Sequence, residues 1–247
     1  MPNRNTMICC LAAASLSLFS SLAVAQQATT PAAVGGEPEF ELEVRQAKLD
    51  DGTMGDMFIA GPMRIVSPLP EGYPRPTTAG AMEIKTYPSV RRAEITVEAS
   101  PRWGMNMAFF PLFRHIQDRE IAMTAPVEAD LPMMAREAAA QLDEGGQDES
   151  RSGEMTVSFL YRSSELGPTG DAEENVRVID TKPITVLALG IRGTMNNNRI
   201  EREIEKLYEW VASQSDSNTG PEGSESAGRW QAEGDPRILG YNGPDVP

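Results

Sequence analysis

MEIKTYPSVRRAEITV, residues 82–97, is the stretch on which the reading of the fold turns. Met82, Ile84 and Thr86 alternate with Glu83, Lys85 and Tyr87, and Pro88 ends the run. Ala93, Ile95 and Val97 then alternate with Arg92, Glu94, Thr96 and Glu98. A period of two is that of a strand with one face buried. Only Ser89 and Val90 separate the runs after the proline, which predicts a tight antiparallel pair.

Downstream the period changes. In residues 105–117 (MNMAFFPLFRHIQ), Phe109, Leu112, Phe113 and Ile116 recur at helical spacing. Pro111 fits a helix most easily in its first turn, so the helix is expected to start no earlier than about Ala108. Ile121, Met123, Ala125 and Val127 alternate again and predict a third strand. A fourth is expected with Met155, Val157, Phe159 and Tyr161 on one face. Between them, residues 134–153 read as an acidic, Ala/Gly-rich insertion.

The same order then recurs. Val176 and Val178 open a strand, and the apolar run Ile184–Ile191 fits a strand buried on both faces. Asn198 or a neighbour is placed to cap a helix over about 199–213, with Ile200, Ile204, Leu207, Tyr208 and Val211 on one face. Residues 214–228 are a polar flexible loop, and Trp230 and Arg237–Leu239 return to strand-like sequence. The expected class is α+β: two βαββ-like halves around one distorted antiparallel sheet or barrel, covered by two main helices.

Upstream, residues 39–81 hold strand-like pieces (Phe40–Val44, Met63–Val66), but prolines break 68–76, and the segment is read as an irregular lead-in. Residues 26–38 read as a flexible Pro/Ala/Gly linker. Residues 1–25 read as a secretory signal peptide. Arg4 precedes an apolar Met7–Val24 stretch, and Ala23-Val24-Ala25 has the small-x-small form of a cleavage site. The stretch is diluted by serines and short for a membrane span. The expectation is an exported protein, periplasmic or extracellular, with no stable membrane insertion after cleavage. Cys9 and Cys10 are the two cysteines of the chain, so the mature protein is expected to have no disulfide and no thiol chemistry. The net charge of −14, with no basic stripe to offset it, argues against nucleic-acid binding. There is no phosphate loop, no His/carboxylate metal spacing and no nucleophile elbow, so the expectation is a binding protein without catalytic or metal residues.

Four segments in order are similar to the SOUL/haem-binding family. Met82–Val97 resembles its opening strands, and Ala108–Ile116 (AFFPLFRHI) falls where it has its first helix. Ile121–Val127 (IAMTAPV) matches its most recognisable string, and Gly234–Pro244 (GDPRILGYNGP) its closing segment. The likeness spans roughly 82–247. It implies non-covalent binding of haem or another tetrapyrrole in an apolar cleft beside the first helix. The general fold is shared with bacterial effector-binding domains of varied ligands, so another apolar or aromatic small molecule, or cofactor-free turnover of one, stays open.

The candidate cleft residues are Met105, Met107, Phe109, Phe113, Arg114, His115 and Met123. A thioether is polarizable and grips flat rings, yet methionine as readily fills a core. His115, the sole histidine, is either an axial iron ligand or a buried helix residue with satisfied ring nitrogens, and the second reading is favoured. The family more often has an aromatic there, so the resemblance assigns it no ligand role. Arg114 and Arg119 can pair with tetrapyrrole carboxylates, with Lys85, Arg91 and Arg92 as weaker candidates. Asp50–Asp51 and Glu173–Glu174 read as solvated acids.

Overall fold

A computed structural model of the chain describes residues 7–8, 31–132, 153–193, 196–216 and 232–242. The N-terminal strands are β1 (Met7–Ile8), β2 (Ala32–Gly36), β3 (Glu43–Lys48), β4 (Met54–Ala60) and β5 (Met63–Ile65). The first half of the body follows as β6 (Ala81–Tyr87), β7 (Arg91–Ala99), α1 (Pro101–Asp118), β8 (Val127–Asp130) and β9 (Gly153–Leu160). The second comprises β10 (Gly170–Asp171), a 3-10 turn at Glu173–Asn175, β11 (Arg177–Asp180), β12 (Ile184–Leu189), α2 (Asn197–Asp216) and β13 (Arg237–Gly240). The fold is α+β, and an order of strands, then a helix, then at least one strand occurs twice. There are three sheets rather than one, in the orders β1-β13-β8-β9-β7-β11-β10, β12-β6-β2 and β3-β4-β5, and they are not closed into a barrel.

The deciding stretch forms two strands as expected, but β6 and β7 do not pair with each other. β6 pairs with β12 and β2, whereas β7 pairs with β9 and β11. The corner between them explains why. Pro88 has no N–H to give a hairpin. The Val90 N–H donates to Thr181 Oγ1 (3.0 Å), and its carbonyl accepts from the Thr181 N–H (2.8 Å). Thr181 lies in the equivalent corner of the second half, between β11 and β12. At each corner the chain therefore passes between the same two sheets, and the halves meet through β7–β11, β6–β12 and β8–β13.

This crossing also covers β6 on both sides. Met82 and Ile84 pack half-buried on the main core, while Glu83, Lys85 and Tyr87 are fully buried on the opposite side. The two buried charges are neutralised locally. Lys85 Nζ lies 3.2 Å from Glu83 Oε2 and donates to the Arg75 carbonyl, and Arg75 Nη2 meets Glu83 Oε1 at 2.6 Å.

α1 starts seven residues earlier than expected. Ser100 is the extended N-cap and Pro101 takes the first helical turn, leaving Pro111 in the interior. The carbonyl that would accept from residue 111 belongs to Met107, a residue on the exposed side of the helix. Ala108, Leu112 and Ile116 bury the inner face against β7 and β9. In α2, the Arg199 N–H donates to Asn196 Oδ1 (2.9 Å), so the cap is a neighbour of Asn198. Ile200, Ile204, Leu207 and Val211 bury its inner face.

Two segments are more regular than their composition suggests. Ala32–Gly36, inside the expected linker, is strand β2, fixed by β6 and by the Trp210 indole N–H donating to the Val34 carbonyl (3.3 Å). The lead-in contains the β3-β4-β5 meander, whose Phe58, Met63 and Ile65 join a second core with Tyr73, Tyr87 and Leu239. Conversely, Ile121–Pro126 is irregular, with a cis Ala125–Pro126 bond, and the third strand begins only at Val127. Its hydrogen bonds are local substitutes for a ladder: Thr124 Oγ1 donates to the Leu160 carbonyl (2.6 Å), and the Ala125 N–H to the Pro68 carbonyl (3.0 Å). Met7–Ile8, within the expected leader, pairs with β13. The rest of that leader, Trp230, the acidic insertion but for Gly153, and residues 217–228 of the flexible loop lie outside the described residues, while α2 continues through the loop's first three.

Candidate functional site

The outer face of α1 concentrates large apolar groups that the core does not use. Trp103, Met107 and Phe110 follow one another at helical intervals of four and three, which places them in one row. They are 66%, 56% and 71% exposed. Arg114, four residues further, is exposed and continues the row. Scattered exposed hydrophobes are ordinary, but a contiguous stripe of this kind on one helix marks a contact surface. Trp103 and Phe110 were not among the sequence candidates. Their signal is the 103–107–110–114 spacing, which a helix beginning at residue 108 conceals.

Beside the stripe, the flank of α1 is aromatic and half-buried. The Phe109 and Phe113 rings lie nearly parallel with centroids 5.7 Å apart. Phe109 also meets Phe110 edge-on at 6.0 Å and Phe159 of β9 at 5.3 Å. Such pairs hold ring orientation as well as burying area. Met105 and Met123 are half-buried against the same core. Of the seven candidates, Phe109 and Phe113 are in contact, Met107 and Arg114 share the outer row, and Met105 and Met123 belong to the core margin.

The candidate cations beside α1, Arg114 and Arg119, already have acidic partners. Arg114 pairs with Glu174, and Arg119 Nη2 lies 2.7 Å from Glu173 Oε2. The hydrogen bond from Arg119 holds the Glu173 carboxyl below its usual value. Glu173–Glu174 is thus paired to the helix. Asp51 is likewise mostly buried beside Arg162, and Asp50 accepts from Ser67 (2.8 Å). Arg91 is held by Asp180 through two contacts of 2.7 and 2.8 Å, Lys85 by Glu83, and Arg92 by a buried acidic cluster. None of these three joins the α1 surface.

His115 points inward. It is 4% exposed, and its Nε2 lies 2.7 Å from the Tyr161 hydroxyl, while Nδ1 has no partner among the described residues. Burial, and then the charge of Arg119, lower its pKa below the ordinary imidazole value of 6.5. The unfolded chain therefore binds this proton more tightly than the folded one. The neutral ring's contribution to stability is complete above the unfolded value and is lost as pH falls below it. Stability measured by urea unfolding should decline from about pH 7 to 5 through this group, and His115→Gln should flatten that part of the profile. An unchanged slope would show that His115 does not titrate with folding.

The model of the SOUL heme-binding protein family matches residues 73–246. Comparison with the curated proteins gives no match. Among solved structures, the chain is similar to one described as the cryo-EM structure of the EcmrR–DNA complex in EcmrR-RPo. Identity is 10%, the TM-score is 0.37, and the match covers 64% of this chain and 56% of that one. The family match takes in both halves of the body, both helices and the stretch from β6 to β13, and on it the chain belongs to the SOUL heme-binding protein family.

Proposed function

We propose that this protein is an exported, non-catalytic binding protein for haem or a related tetrapyrrole, carried on the outer face of α1. The supporting observation is the exposed Trp103–Met107–Phe110 row, flanked by the stacked Phe109 and Phe113. A tetrapyrrole is a flat apolar disc with acidic side groups. It fits a row of two aromatics and a thioether, with Arg114 at one end for a propionate. That pairing requires Arg114 to exchange Glu174 for the ligand. His115 is turned into the protein against Tyr161, so apolar contact rather than an imidazole–iron bond holds the ligand. The sequence of residues 1–25 supports export, and a mature N-terminus at Gln26 in protein recovered from outside the cytoplasm is the result expected of it.

Titration with haemin should give a saturable Soret shift at micromolar protein. Trp103→Ala and Phe110→Ala are expected to weaken it about tenfold or more each, the loss of one large apolar contact of roughly 1.5–3 kcal/mol. Both positions are exposed, so the fold is retained. His115→Ala should leave the Soret shift in place. No saturable shift in the wild type, or wild-type affinity in both α1 variants, refutes the proposal. A second reading takes the same surface to hold another flat apolar molecule, favoured by the prior pairing of Arg114 and Arg119 with acids. A ligand that raises the melting temperature where haemin does not would select it.

A further inference from the structure

At the corner where both halves change sheets, the chain encloses a half-open pocket of about 320 Å³, with no contribution from α1. Its walls are apolar: Tyr87, Pro88 and Val90 from the first corner, and Ile179, Pro183 and Ile184 from the second. Its inner end is polar, formed by Tyr73, Arg92, Glu128 and Arg237, and Thr181 and Lys182 complete the lining. Apolar walls with a few convergent polar groups are the common form of a small-molecule site, and this volume is at the lower end of such sites.

The charges are unevenly arranged. Arg92 and Arg237 each contact Glu128 (3.3 and 3.6 Å) and Asp130 (3.1 and 2.8 Å), and Arg92 also meets Glu94 at 2.9 Å. Asp130 and Glu94 lie behind the lining and not in it. The lining therefore carries three cations, Arg92, Lys182 and Arg237, with the carboxylate of Glu128, and the two arginines are already engaged by acids. In a chain of net charge −14 this corner is locally balanced, three cations against Glu128, Asp130 and Glu94, and among the described residues Lys182 is its uncommitted cation. Tyr73 donates its hydroxyl to Glu128. Burial and the Glu128 charge push that hydroxyl well above its ordinary pKa, so it stays a donor. Lys182 is exposed and has no hydrogen bond or ion pair among the described residues.

We propose that this corner pocket is a second binding site, separate from the α1 surface, for a small amphipathic carboxylate. One ring or a short acyl chain lies between Tyr87, Pro88, Pro183 and Ile184, and the carboxylate faces Lys182 and the two guanidinium groups. Octanoate is a suitable probe, with octan-1-ol and octylammonium as neutral and cationic counterparts of the same chain. By calorimetry, octanoate should bind saturably with a Kd of about 1 mM or below. Octan-1-ol should bind at least about tenfold more weakly, and octylammonium more weakly still. Lys182→Glu should weaken octanoate at least about tenfold while keeping the wild-type melting temperature, since Lys182 is exposed and unpaired among the described residues. Trp103→Ala, which tests the α1 surface, should leave octanoate binding unchanged, so the two sites fail separately. The proposal is overturned by absence of saturation, by equal binding of octan-1-ol, by preference for octylammonium, by unaltered affinity in Lys182→Glu, or by loss in Trp103→Ala.

Discussion

Arg92→Met is expected to lower the free energy of unfolding by about 3–5 kcal/mol, read from urea denaturation at pH 7. Arg92 lies in β7 with its side chain about 10% exposed, so solvent screens its interactions little. Burial works against its charge, but the carboxylates of Asp130, Glu128 and Glu94 outweigh that and hold its pKa above the ordinary guanidinium value. The arginine is thus the shared cation of three acids from two strands. Methionine keeps much of the apolar stem and removes only the charge and its hydrogen bonds. Glu128, 2% exposed, would then have Tyr73 and the more distant Arg237. A buried carboxylate stripped of its nearest cation pays most of its desolvation cost uncompensated. The double variant Arg92→Met/Glu128→Leu should recover part of the loss, because an apolar pair leaves no buried charge at that position. A loss below about 1 kcal/mol in Arg92→Met would mean that the cluster is hydrated and its contacts count as surface ion pairs.

Much of the fold is legible in the sequence because periodicity reports which face is covered. Ile200, Ile204, Leu207 and Val211 are read as one helical face and are buried together, and Met155, Val157 and Phe159 are read and found as one strand face. Periodicity does not report the partner. The alternation of β6 and β7 is the same for a hairpin as for a corner, and the deciding bonds come from Thr181, about ninety residues away. Nor does it tell which side is the more deeply covered, and in β6 it is the side of Glu83 and Lys85 that the fold hides. Local composition misleads in β2, where small residues resemble a linker but the ordering bonds come from β6 and Trp210. The α1 surface is half legible. Met107 and Arg114 are found from their type, while Trp103 is hidden by assigning Pro111 to the first turn. The corner pocket is not legible at all, since Tyr73, Arg92, Glu128, Lys182 and Arg237 come from five separate segments.

Gly190→Ala is expected to cost about 3 kcal/mol or more, above the usual range for an added methyl in a packed site. The reason is space and not backbone conformation. A Cβ at residue 190 would lie 1.9 Å from the Thr78 carbonyl oxygen, 2.4 Å from its carbon and 2.7 Å from the Thr77 oxygen. These are backbone atoms, so no rotamer change relieves the overlap. They are also held in place: the Gly80 N–H donates to the Gly190 carbonyl (2.9 Å), the Gly190 N–H to Ala81 (3.0 Å), and the Ala81 N–H to Thr78 (3.1 Å). Relief requires residues 77–81 to move away from β12 and to give up those bonds. The same segment follows Tyr73 and Arg75, whose side chains reach Glu128 and Glu83, so displacement would loosen the polar end of the corner pocket too. Gly104→Ala supplies the comparison. Its Cβ would meet Met155 Sδ at 2.0 Å, an overlap as short, but with the flexible end of a side chain. Its cost should stay within about 1–3 kcal/mol, because the thioether can turn aside within the core. Urea unfolding of the two variants tests the order. A Gly104→Ala loss equal to or larger than that of Gly190→Ala would show that the 77–81 segment yields more easily than a buried methionine, and that it is not the fixed wall on which the Tyr73 side of the pocket depends.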